Sequence, residues 1–197
     1  MIYVRVNRWA KKGVLQTVFL RLQQLGIIQI KVNVVIIWDS LAFLYRTGLG
    51  CKRDLDKALE CYLCAVEQGH KTSYYSIAEI HSIQANSAKT IECYTKSLQA
   101  GYQHAALYLG LLYKEGGNDF PPNYTQAARY FEIAERAGIT EAKYEMGQLY
   151  YMGYAVFERD FNMAAQWLEK AAKEGHDRAQ YNLAYMYHHG LGVKYDC

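Results

Sequence analysis

KYEMGQLYYMGYAVFERDFNMAAQWLEKAAKEGHDRA, residues Lys143 to Ala179, is the stretch that decides the fold. Its pattern returns, in full or in part, four more times along the chain. A first segment ends in an apolar residue followed by a tyrosine or its substitute: Leu44-Tyr45, Ile80-His81, Leu112-Tyr113, Leu149-Tyr150 and Met186-Tyr187. A second segment begins at Asp54, Asn86, Asn123, Asp160 and Asp196. From each of the first four to the next Tyr or His is 27 residues, and all length variation falls between the Tyr and the Asp or Asn. A period in the thirties with variation confined to one connection identifies stacked helix–loop–helix units.

Each recurring residue type has a physical reason. Asp or Asn at the start of the second helix can accept hydrogen bonds from backbone N–H groups that have no partner within the helix. Gly69, Gly101, Gly138 and Gly175 follow its end, where a left-handed cap costs glycine least. Ala164, Trp167 and Ala171 are three or four apart and share a face, as do Ala127, Tyr130 and Ala134 one unit earlier. This spacing predicts that the aromatic fills a gap framed by small residues, and that Trp167→Ala costs about 3–5 kcal/mol. Loops are expected at Arg46–Arg53, Ser82–Ala85, Lys114–Pro122 and Tyr151–Arg159.

These residues also carry a family resemblance. Y-x-x-G-L-G before an aspartate (Tyr45 to Asp54, Tyr187 to Asp196), then A-x-x-W-x-x-x-A-x-x-G, resembles the Sel-one-like repeat (SLR), a relative of the tetratricopeptide repeat. The resemblance implies an all-α, right-handed α-solenoid over 38–197, with units at about 38–69, 70–101, 102–138, 139–175 and a partial 176–197. The second unit departs by lacking the Gly-x-Gly loop. The fifth stops at its predicted helix start, so fraying beyond about Gly190 or self-association through that end is expected.

Residues 1–37 form an atypical N-terminal segment. The first 38 residues hold six basic side chains and no acid, which leaves 16 basic against 19 acidic residues in the remainder. Such charge asymmetry can mark a nucleic-acid-binding segment. Ile28, Ile30, Val32 and Val34 alternate with Gln29, Lys31 and Asn33, a strand period. NRWAKKGV (Asn7 to Val14), Val18-Phe19 and IKVNVV (Ile30 to Val35) ahead of Asp39-Ser40 resemble an insertion-sequence DDE transposase. That resemblance would make Asp39 the first catalytic aspartate, but no second acid in that context follows, and two-metal chemistry needs both. Asp39 is expected to lie simply on the first repeat helix. Residues 1–36 are expected to be dispensable for the repeat fold, with a capping role as the competing reading.

Little else points to chemistry. Cys61 and Cys64 form a C-x-x-C inside a helix with no second pair to complete a zinc tetrahedron. Cys61 and Cys93 occupy the column of Tyr130 and Trp167 and read as core residues. His188 and His189 are adjacent, poor geometry for joint chelation on a helix. The glycine loops lack the context of a phosphate loop. No catalytic residue, cofactor or metal is expected.

What remains is surface. With the recurrent columns as core, the variable columns of the first helices line an inner face, giving Phe43, Glu79, Tyr108, Leu111, Glu145, Gln148, Asn182 and Tyr185 as the partner-binding set. Aromatics on such a face are the usual anchors of interfaces. The expected function is a non-catalytic scaffold binding another protein or peptide, with the family resemblance implying adaptor roles in bacterial signalling or host interaction. The alternative is nucleic-acid binding by a transposase remnant, and third in rank is a hydrolase of the cysteine-rich SLR type. No small-molecule substrate and no membrane span are expected, nor a secretion signal; the expected compartment is the cytoplasm.

Overall fold

The computed structural model describes residues 29–154 and 158–192, with side chains from residue 36. Every regular element among them is a helix: α1 (Gln29–Thr47), α2 (Leu55–Glu67), α3 (Ser73–Ile83), α4 (Ser87–Gln99), α5 (His104–Glu115), α6 (Tyr124–Arg136), α7 (Thr140–Met152), α8 (Phe161–Lys173) and α9 (Asp177–His189). They fall into two compact units, Met1–Ala100 and Gly101–Cys197. Within the first, α1 packs on α2 and α3 on α4, with α2 touching α3. Within the second, α5 packs on α6 and α7 on α8, and α9 covers α8.

The strand period of Ile28–Val34 does not become a strand over the described part of that run: from Gln29 the backbone is helical and continuous to Thr47. A lone strand would leave its N–H and C=O groups without a ladder, whereas a helix satisfies them within the segment. The expected boundary at residue 37 therefore falls inside α1, and a truncation at 36 would cut that helix in two. Residues 1–28, which carry most of the transposase-like stretch, and 193–197, which carry the expected fifth helix start, lie outside the described residues.

The repeat's punctuation is built as its residue types require. Asp54, Asn86, Asn123 and Asp160 each accept the backbone N–H three residues on, from Lys57, Lys89, Gln126 and Met163 at 2.9–3.1 Å. The same four residues donate their own N–H to the carbonyl of the closing Tyr45, His81, Tyr113 and Tyr150. That second bond staples each loop shut at both ends, whatever its length. It explains why the loop can vary while the 27-residue interval cannot. The four glycines that follow the second helices sit at φ of 101°, 95°, 81° and 86°, a region that side-chain-bearing residues avoid. The loops themselves begin later than expected, because α1, α5 and α7 run on to Thr47, Glu115 and Met152.

The small residues of the expected core columns are buried, but the large side chain between them stands one residue later than expected. Ala164, Ala165, Leu168 and Ala171 are the buried residues of α8, and Ala127, Ala128, Phe131 and Ala134 those of α6. The large buried side chain is thus Tyr62, Tyr94, Phe131 or Leu168, not Trp167, which is only half-buried with the Lys170 Nζ 4.0 Å above its ring. Cys61 and Cys93 are nevertheless buried, as expected.

Ser97 takes the place that Ala65, Ala134 and Ala171 fill in the other second helices. It is fully buried and its Oγ has no hydrogen-bond partner. Burying an unpaired hydroxyl costs about 1–3 kcal/mol, so Ser97→Ala should stabilise the protein by about 1 kcal/mol. A raised urea midpoint with an unchanged m value would show it.

Candidate functional site

Each of the two units carries candidate residues on the exposed side of its own first helices. In the first unit Phe43 is exposed on α1, and the Arg46 guanidinium carbon lies 5.6 Å from the centre of its ring. Glu79 of α3 is not open to a partner in the way expected: its carboxylate forms an ion pair with Arg46. That charged pair ties α1 to α3.

Asp39 of α1, Ser73 at the start of α3 and His70 in the turn before it come together. The Ser73 hydroxyl donates to Asp39 Oδ1 at 2.7 Å and lies 2.7 Å from His70 Nδ1, which is itself 3.3 Å from Asp39 Oδ1. The residue types are those of a hydrolytic triad, but the order is wrong. A nucleophile gives its proton to the imidazole, whose other nitrogen the acid holds. Here the serine and the aspartate share one ring nitrogen, the hydroxyl already donates to the carboxylate, and Ser73 is buried. The trio is a clasp between α1 and the start of α3, and it gives Asp39 a structural role.

In the second unit Tyr108 is exposed and Leu111 half-buried on α5. Glu145, placed by the sequence on the open face, is only 5% exposed, and its carboxylate bridges to Lys114. The acid ties α5 to α7. Lys143, buried on the same helix, pairs with Glu174 just past α8, and Thr140 Oγ1 donates to the same carboxylate at 2.7 Å. Those two bonds, the lysine's first, hold the Glu174 carboxyl below the usual range. His176 completes the framework: Nε2 meets Glu141 Oε2 at 2.8 Å, while Nδ1 accepts the Ala179 N–H and caps α9.

Beyond this scaffolding the pattern changes. Gln148 and Asn182 are half-buried and Tyr185 is 45% exposed. With Tyr151, Met152 and Tyr181 they line a cleft of about 260 Å³ between α7 and α9. Sequence reasoning missed these last three; Tyr151 and Met152 it placed in a loop. The signal was there: Tyr151 follows the closing Tyr150, the register at which Arg46 and Lys114 stand. A second opening, of about 600 Å³, lies over the α7–α8 connection and is lined by Glu158, Arg159 and Asp160 among others.

The C-x-x-C of α2 builds no reactive thiolate. Burial pushes the Cys61 thiol up to about 12, and burial also raises Cys64 and Cys93, so the C-x-x-C holds no thiolate at neutral pH. Among the described residues no three His, Cys, Asp or Glu side chains are grouped to hold a metal ion. No helix among them is long and apolar enough to cross a membrane.

The Sel1 repeat family model matches residues 40–70, 103–139, 140–176 and 177–197. The unmatched 71–102 is the unit without the Gly-x-Gly loop. Among solved structures, the chain is similar to a Sel1 repeat protein from Oxalobacter formigenes, with a TM-score of 0.72 and 24% identity over 89% of this chain and 72% of that one. It is also similar to the immunity protein Pa5087 from Pseudomonas aeruginosa, with a TM-score of 0.51 and 22% identity over 78% of this chain and 57% of that one. At such identities the likeness establishes the fold, an all-α helical repeat of the solenoid class. The sel1-like repeat-containing protein L21 of Acanthamoeba polyphaga mimivirus is 28% identical over 96 residues, 49% of this chain and 17% of that relative's length. The transposase resemblance of residues 5–40 gains no support from these comparisons.

Proposed function

We propose a protein-binding, non-catalytic scaffold function for this chain, which belongs to the Sel1 repeat family. The observation that carries the reading is the division of labour on the first helices. Charged residues hold helix to helix, while aromatic ones are left exposed. Tyr108, Tyr181 and Tyr185 of the second unit all face solvent, the composition that anchors interfaces rather than cores. Gln148 stands one repeat after Leu111 in the same register, and Asn182 one repeat after Glu145. An adaptor that brings a partner segment to this face fits the geometry better than an enzyme. The one Ser/His/Asp meeting seen among the described residues is a clasp around a buried hydroxyl. The four described cysteines are free thiols, which fits a reducing compartment such as the cytoplasm.

Affinity capture followed by chemical cross-linking tests the reading. The wild-type chain should retain one discrete partner in stoichiometric amount. Tyr108→Ser with Tyr185→Ser should lose it, since removing an anchor costs about 2 kcal/mol or more. Both positions are exposed, so the helical circular dichroism should not change. Equal retention by the variant would place the interface elsewhere.

A further inference from the structure

We propose that the cleft between α7 and α9 binds an uncharged, extended peptide segment of the partner, its backbone read by Gln148 and Asn182 and one apolar side chain seated among the tyrosines. This rests on the protein-binding reading above and names what its second unit would recognise. The starting point is a substitution within the repeat. One residue beyond the closing tyrosine, Lys114 reaches from α5 to Glu145 on α7 and closes the gap between first helices with an ion pair. One repeat later, at the same two positions, stand Tyr151 and Asn182. The bridge is replaced by an opening.

The lining then says what can enter. None of Gln148, Tyr151, Met152, Tyr181, Asn182 and Tyr185 carries a charge, so a charged side chain entering it would lose water without gaining a counter-charge. A side-chain amide carries both a donor and an acceptor, as does the peptide group it would face. Gln148 and Asn182 are therefore matched to main chain, not to an anion or a cation. The volume of about 260 Å³ lies below the roughly 300–1,000 Å³ of small-molecule pockets and admits a single large side chain. Tyr181, 73% exposed, and Tyr185 leave the rim open along the helices, so a chain can continue past on both sides.

The test uses the whole chain, isotopically labelled, with short Gly/Ser peptides carrying a central Phe, Leu, Lys or Glu. Phe and Leu peptides should shift the side-chain amide resonances of Gln148 and Asn182, and should bind about ten-fold or more tighter than the Lys and Glu peptides. Raising the salt concentration should leave that binding unchanged. The double variant Tyr151→Lys, Asn182→Glu rebuilds the ion pair of the preceding helices and should abolish the shifts at Gln148. Tyr151 also meets Phe161 edge-on at 5.5 Å, so Tyr185→Lys, at an exposed position, is the companion variant and should weaken the Phe peptide about ten-fold. Preference for a charged peptide, steep salt dependence, concentration-dependent shifts without peptide, or unaltered binding by Tyr185→Lys would each overturn the proposal. If the Tyr108/Tyr185 serine variant loses the captured partner while the double variant keeps it, the scaffold reading stands and the cleft assignment falls.

Discussion

Phe131→Ala should lower the unfolding free energy by about 3–5 kcal/mol, the usual range for deleting a fully buried aromatic ring. The ring has no exposed surface and faces Gly110 of α5, and the other buried residues of its own helix are Ala127, Ala128 and Ala134, a frame of small residues. No side chain in that frame is long enough to swing into the space, so the cavity should persist rather than collapse. The neighbouring Tyr130 is only half-buried, stacked on Tyr113 at 5.6 Å. Tyr130→Ala should cost about 1–2 kcal/mol, from partial burial and one ring pair. Trp167→Ala should behave like Tyr130→Ala and not like Phe131→Ala. Urea unfolding of the three variants reads the order directly. Equal losses for Phe131 and Trp167 would mean that the half-buried column carries the core after all.

That ordering marks how far the sequence reaches and where it stops. Period, caps and the ends of the loops were legible because each depends on one residue type acting on its own backbone. Asp160 caps the helix it begins, and Gly175 ends that same helix. Phase was harder. Ala164, Trp167 and Ala171 make a sound apolar stripe, but so do Ala164, Ala165, Leu168 and Ala171. A stripe of about 100° admits both, and only the partner helix decides between them. The bulkier residue drew the assignment, yet Leu168 fits against Gly147, where an indole one position earlier stays at the edge. The ion pairs of Glu79 and Glu145 were not legible for a related reason. Their partners Arg46 and Lys114 lie 33 and 31 residues away, beyond any local spacing rule. Comparing the columns one repeat apart does expose the change from Lys114 and Glu145 to Tyr151 and Asn182. Composition alone could not have found the cleft, because tyrosine is abundant everywhere in this chain.

Gly110→Ala should be nearly as damaging as the loss of the ring it faces, although it adds a single methyl group. A Cβ at Gly110 would stand 2.5 Å from Phe131 Cδ1 and 3.1 Å from Cζ, inside the van der Waals limit for both. In an exposed helix the same change gains about 1 kcal/mol from propensity, so the sign of the measured effect decides whether close approach governs the site. Overpacking costs about 1–3 kcal/mol, and here the obstacle is the side of a fully buried ring, which has no open space to rotate into. Destabilisation by about 2–3 kcal/mol is therefore expected. Gly147 repeats the arrangement against Leu168, whose Cγ would be met at 2.9 Å, and a branched aliphatic chain can change rotamer where a ring cannot. Gly147→Ala should accordingly cost less than Gly110→Ala. The decisive measurement is the double variant Gly110→Ala, Phe131→Ala. With the ring gone, the added methyl has room and the propensity gain returns, so the double should be more stable than the sum of the single losses by about 2 kcal/mol or more. Additive losses would show that Gly110 is needed for its backbone and not for the space it leaves.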